Sequence, residues 1–289
     1  MRLEEDFKKR MGELLVYHQI LERPEELTDE NYSEKVMAFQ EKVDIMVDGY
    51  PRGETLWQLQ FPWLQQVPRL PLQECEADRV SGSQGTDRFR LRQDAAERFN
   101  ALRAEVKAHG GVITIDKGLR SLAERRSVDR SVTSMHYLGL AFDLAADTGF
   151  FKPDTDTYVV NLGGNGYWEV WCRSSKAEEI KLNAVYWDDV NSGVDRTKVV
   201  QGKFINFTEL CAQFGFYPIR PRMSFTRTRN RLYRGCEWWH FQANGLLIPN
   251  LSQFGIELLR IEGNTPEGIR SSNEDLWCRK QTIFQVDWF

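Results

Sequence analysis

The hydrophobic pattern changes period part-way along the chain, and that change constrains the fold more than any other feature. Before Phe61, apolar side chains recur every three or four positions: Phe7, Met11, Leu14 and Leu15 with His18, then Val36, Phe39 and Val43 in a second stretch that starts near Asn31. Such spacing lines one face of a helix. From Val112 onward the runs are short and β-branched or aromatic, in Val112–Ile115, Thr157–Val160 and Tyr167–Cys172, which reads as strands. Two further helices are predicted, one before these runs and one after them. One starts at Asp94, carries Ala95, Phe99, Leu102 and Val106, and stops at Gly110-Gly111. The other starts at Asn206, with Glu209 at the capping-box offset, and runs to Gly215. This order predicts an α+β fold: a small helical N-terminal domain, then a larger domain with a central antiparallel sheet flanked by helices.

The boundary between them is readable. Residues 63–88 hold Pro68, Pro71 and the polar tract Ser81-Gly82-Ser83-Gln84-Gly85, which predicts a linker between a helical domain at 1–62 and a domain at 89–289 with a C-terminal extension. Charge shifts across it too. Residues 1–90 carry 12 basic and 18 acidic side chains out of 38 and 42 in the whole chain, so the acidic excess sits in the N-terminal part. Neither part is basic enough to neutralise phosphates, which argues against a nucleic-acid partner. At 41% hydrophobic and 28% charged the chain can bury a core, yet no apolar run reaches the ~18 residues of a membrane span, so no membrane insertion is expected. The five cysteines are scattered and form no C-x-x-C pair, which argues against disulfides and thiolate zinc sites. The N-terminus turns acidic directly after Met1-Arg2-Leu3 and lacks a secretory signal, so the chain is expected to be made in the cytoplasm.

Within the helical part, Asp48-Gly49 and Pro51-Arg52-Gly53 are turn signals, and Thr55 is placed to cap a last helix carrying Leu56 and Leu59. Phe39-Gln40, Val47-Asp48-Gly49, Gly53 and Thr55-Leu56-Trp57-Gln58-Leu59-Gln60 resemble the peptidoglycan-binding domain attached to many cell-wall hydrolases. The resemblance implies peptidoglycan as a partner; the alternative is a plain helical accessory domain.

The chemistry-bearing residues lie in the second part. Of four histidines, His136 stands in Ser134-Met135-His136-Tyr137-Leu138-Gly139-Leu140-Ala141-Phe142-Asp143, and His240 ends Glu237-Trp238-Trp239-His240. A catalytic zinc takes three His or carboxylate ligands and keeps one position open, with a carboxylate nearby to handle the proton. His136, Asp143 and His240 supply such a shell and Glu237 such a carboxylate. Spacing sets a condition: residues seven apart on a straight strand face opposite sides, so a turn at Gly139 has to break the strand. Glu237 and His240 likewise need a bent entry into a strand.

The ordered motifs S-x-H-x-x-G-x-A-x-D and E-x-x-H resemble the zinc peptidases of the D-alanyl-D-alanine carboxypeptidase family, which includes peptidoglycan endopeptidases and many phage endolysins. The resemblance implies Zn2+ as cofactor, with His136, Asp143 and His240 as metal ligands, Glu237 as general base and Ser134 as a substrate contact. Gly118-Leu119-Arg120-Ser121 matches the family's G-Y-R-S segment, with Leu119 in place of Tyr; it implies that Arg120 contacts substrate and stabilises the oxyanion. The implied activity is hydrolysis of an amide in a peptidoglycan stem or cross-link by a protein that reaches the wall after release, as an endolysin or an injected effector does. A D-alanyl-D-alanine carboxypeptidase and a non-catalytic zinc-containing wall binder are the alternatives, and a monomer is expected.

Two further features have two readings each. Arg220, Arg222, Arg227, Arg229, Arg231 and Arg234 form either a basic rim for carboxylate-bearing substrate or a solvated strand edge. Tyr167, Trp168, Trp171, Trp238 and Trp239 are expected as core rather than as stacking surfaces. His18 and His109 lack chemical company and are expected to be structural.

Overall fold

A computed structural model describes residues 4–124, 131–188, 194–226 and 232–286. Helices α1 (Glu5–Tyr17), α2 (Tyr32–Lys42) and α3 (Gly53–Leu64) come first. Strands β1 (Leu72–Glu76) and β2 (Arg88–Arg92) lead into α4 (Gln93–Ala108), β3 (Ile115–Lys117) and β4 (Ala141–Leu144). Four strands then follow one another: β5 (Tyr158–Leu162), β6 (Trp168–Arg173), β7 (Glu179–Asp188) and β8 (Val194–Asn206). After α5 (Phe207–Gln213), β9 (Tyr217–Pro218), α6 (Met223–Thr226) and β10 (His240–Gln242), the chain ends in α7 (Phe254–Leu259), α8 (Pro266–Ser272) and α9 (Glu274–Cys278). Helix and antiparallel sheet are mixed, compatible with α+β. Among the described residues no helix is long and apolar enough to cross a membrane.

The chain divides into two compact units, one made of 1–71, 121–138 and 247–289, the other of 72–120 and 139–246. In the first, the predicted stripes meet: Met11, Leu14 and Leu15 of α1 pack with Val36 and Phe39 of α2, and with Leu56 and Leu59 of α3. The C-terminal segment joins this core through Leu251. Gln60 Nε2 donates to the Leu251 carbonyl at 3.0 Å, and Gln253 Nε2 donates to the Gly53 carbonyl at 2.9 Å. Trp277 meets Trp57 edge-on, with the Lys280 ammonium over both rings.

Thr55 does not cap α3. Its hydroxyl, buried in the first helical turn, accepts a hydrogen bond from Gln40 Nε2 at 3.1 Å. Gln40 also binds the Asp48-Gly49 turn, its Oε1 accepting from both backbone N–H groups at 3.0 and 2.9 Å. His18 is structural, with Nε2 2.8 Å from the Leu59 carbonyl.

In the second unit, a four-stranded antiparallel sheet has the order β3-β4-β10-β9. Phe99 of α4 packs edge-on against Phe142 of β4, which stacks on Phe241 of β10. The stretch 63–88, expected as linker, contains β1, which pairs with β2. Val112–Thr114, expected as strand, is not one, because side chains take its hydrogen bonds: Ile113 N–H donates to the Asp78 carboxylate at 2.9 Å and Thr114 N–H to the Tyr158 hydroxyl at 3.1 Å. Asn206 caps α5 as expected, accepting from Glu209 N–H at 3.1 Å. Strands β5, β6, β8 and β7 close into a small barrel whose interior holds Val159, Leu182, Ala184, Val200 and Phe204.

Candidate metal centre

Strands β4 and β10 are the inner pair of the four-stranded sheet, with Asp143 opposite His240, Phe142 opposite Phe241 and Ala141 opposite Gln242. Side chains alternate along a strand, so Asp143, His240 and Gln242 project from one face while Phe142 and Phe241 fill the aromatic core on the other. The order polar-apolar-polar in His240-Phe241-Gln242 therefore builds both faces at once.

His136 comes from a 3-10 turn, Met135–Leu138, ahead of β4. The chain breaks at Gly139, which adopts φ +64°, a conformation that side chains rarely tolerate. A Cβ there would also lie 2.7 Å from the Arg92 backbone nitrogen, whose N–H donates to the Gly139 carbonyl at 2.9 Å. This is the turn that the seven-residue spacing required. One ligand atom from each of His136, Asp143 and His240 lies within 4.8 Å of the other two.

His136 and His240 are 2% and 6% exposed, and the Asp143 side chain 13%. Two imidazoles and one carboxylate, sheltered from water and facing one point, form a donor set that fits zinc. His240 Nδ1 lies 2.9 Å from Asp143 Oδ1. Burial works against charge on His240, but the hydrogen bond and charge of Asp143, with that of Glu237, outweigh it and hold its pKa above the ordinary value. A cation at this place competes with that proton.

Glu237 enters through a tight turn in which His240 N–H donates to the Glu237 carbonyl at 3.1 Å. Its backbone has φ +53°, left-handed for a residue with a side chain, and the side chain is mostly buried. Left-handed non-glycine residues persist only where their surroundings hold them. Here Arg222 Nε sits 2.5 Å from Glu237 Oε1, and Trp168 Nε1 donates to the preceding Cys236 carbonyl at 2.5 Å. Trp238 is fully buried in the gap left by Gly149, where a Cβ would come within 2.6 Å of its ring.

Ser134 shapes the His136 turn, its hydroxyl accepting from His136 N–H at 3.4 Å. Arg120 is half-buried at the end of the turn after β3 and lies outside the three-residue group. Gly118 fixes that turn's start, since a Cβ would meet the Phe89 ring at 2.3 Å. Lys117, on the same segment, is the register partner of Asp143.

Of the arginine run, Arg227, Arg229 and Arg231 lie outside the described residues. Arg220 covers the Tyr167 ring at 4.7 Å, and Arg222 holds Glu237. Trp168 and Trp238 are core, as expected, while Trp171 packs against the barrel interior. Four cysteines are buried, and burial pushes the Cys75 and Cys172 thiols up to about 12, which suits inert packing rather than thiolate chemistry.

Gln242 and Asn244 were not among the expected site residues. The signal was the two-residue spacing from His240, which puts Gln242 on the same strand face. No protein-family model, curated protein or solved structure matches this chain.

Proposed function

We propose that this protein is a zinc-dependent peptidase that hydrolyses an amide bond in the stem peptide or cross-link of peptidoglycan. The single observation that carries the reading is the convergence of buried His136, Asp143 and His240, two of them on paired strands, with Glu237 one tight turn before His240.

His136, Asp143 and His240 would hold the ion. A zinc there would supply a Lewis acid for the scissile carbonyl and lower the pKa of a water to about 7. Glu237 then has the role of accepting a proton from the attacking water and returning it to the leaving amine. Its contact with Arg222 aims the carboxylate. The Arg120 guanidinium is assigned to the charge that develops on the carbonyl oxygen, and Ser134 to substrate contact.

Peptidoglycan as substrate rests on the motifs in both units. A wall-binding helical domain would keep the enzyme on insoluble polymer by raising its local concentration, which favours an endopeptidase over a carboxypeptidase. Purified peptidoglycan incubated with the protein, with and without chelator, is the test. New free amines that chelator abolishes support the peptidase, and the masses of the released fragments identify the bond. Co-sedimentation without any cleavage would identify a binder instead.

A further inference from the structure

His240 has a second ring nitrogen, and its surroundings are as specific as those of the first. Nε2 lies 3.1 Å from Gln242 Oε1, and Gln242 Nε2 donates to Asn244 Oδ1 at 2.9 Å. Gln242 is 8% exposed and Asn244 2%, so neither amide has ready access to water. An amide accepts at oxygen and donates at nitrogen, so hydrogen bonds through two amides have a direction. With Gln242 donating to Asn244, its oxygen faces the ring, and Nε2 of His240 has to carry a hydrogen. The nitrogen left for a cation is then Nδ1, the one that faces Asp143 at 2.9 Å. Reversing the direction would put a lone pair on Nε2 and the hydrogen on Nδ1, closing the ligand position. Holding the observed direction has a cost: Asn244 Nδ2 is buried with no hydrogen-bond partner among the described residues.

We propose that Gln242, itself held by Asn244, is a positioning residue of the metal centre, fixing His240 in the tautomer that presents Nδ1 to the ion. The proposal rests on the reading of His136, Asp143 and His240 as zinc ligands. Partners of this kind orient a ligating imidazole and raise its basicity, and losing one weakens metal binding roughly 10- to 100-fold.

The full chain is titrated with zinc against a chromophoric chelator, as wild type, Gln242→Met and Gln242→Glu. Met keeps the length and removes the acceptor; Glu keeps an acceptor, to which Asn244 can turn its amide nitrogen. The expected result is zinc affinity about 10- to 100-fold weaker for Gln242→Met and close to wild type for Gln242→Glu. In parallel, the 15N spectrum of zinc-loaded wild type is expected to show the His240 hydrogen on Nε2. That readout needs no variant, so a failure of Gln242→Met to fold leaves the proposal decidable. A purely structural Gln242 would lower the melting temperature of Gln242→Met and leave zinc affinity unchanged. Unchanged affinity in Gln242→Met, or a hydrogen on Nδ1 in the zinc-loaded protein, overturns the positioning role alone. Absence of zinc binding by wild type overturns the ligand reading with it.

Discussion

The protein buries two polar networks built on glutamine, and they end differently. Around Gln40 every group of the amide is used by its own unit: Nε2 faces Asp48, Tyr50 and Thr55, and Oε1 accepts from two turn N–H groups. Around Gln242 the bonds run from Asn244 to His240 and stop at two imidazoles and a carboxylate that crowd one point. A network that closes on itself stabilises a turn. One that ends on titratable groups has capacity for a ligand. Burial alone does not separate the two, since Gln40 is 1% exposed and His136 2%.

The largest effects should come from breaking the open network. Glu237→Gln is expected to lower turnover about 10²- to 10⁴-fold while zinc content survives. His136→Ala and Asp143→Ala should lose both, as read by elemental analysis alongside amine release. A Glu237→Ala protein of full activity would falsify its assignment as the base. Breaking the closed network should do the reverse. Gln40→Ala strips partners from the Asp48-Gly49 turn and should lower unfolding free energy by about 2–3 kcal/mol, with zinc affinity unchanged.

Acid separates the networks by sign. Asp78 is a charged member of a closed cluster, meeting Arg103 at 2.8 Å and Lys107 at 3.0 Å and accepting from Ile113 N–H. Burial opposes its charge, but these partners outweigh burial and hold the carboxyl below the usual aspartate range. A depressed pKa adds stability above the unfolded-state value, and that stability is lost as pH falls through the folded value. The gap in stability between wild type and Asp78→Asn should therefore be full at pH 7 and shrink in the acid range. His240 is shifted upward, so its contribution in zinc-free protein is present below its unfolded pKa and lost as pH rises through the folded one. Zinc-free protein should lose stability with rising pH in that window, whereas zinc-loaded protein should gain it, because the ion takes the place of the proton. Two melting series across pH, with and without chelator, check the crossing. The smallest effect is expected from Thr55→Val, which removes one acceptor from Gln40 and should cost about 1 kcal/mol without touching zinc affinity.

Much of the fold was legible where one period dominated. The stripes Phe7-Met11-Leu14 and Val36-Phe39 are helical and buried as written. Asn206 and Glu209 marked a cap by their offset. The pattern misleads where side chains take the place of other partners, as Asp78 and Tyr158 do for the backbone at 113–114 and Gln40 does for the Thr55 hydroxyl. The β7-β8 hairpin was missed although Ile180, Leu182 and Ala184 alternate with Glu179, Lys181 and Asn183. Of the site, His136, Asp143 and His240 were named from their motifs, and the sheet register explains two of them. Gln242 and Asn244 escaped notice because glutamine and asparagine carry no chemical signature until a neighbour gives them a direction.

X-ray absorption at the zinc edge of the stoichiometrically loaded protein reads the ligand shell itself. One zinc per chain in a shell of nitrogen and oxygen at roughly 2.0–2.2 Å, with the scattering of two imidazoles, is expected. A sulfur neighbour near 2.3 Å, or a shell with no imidazole, would contradict it.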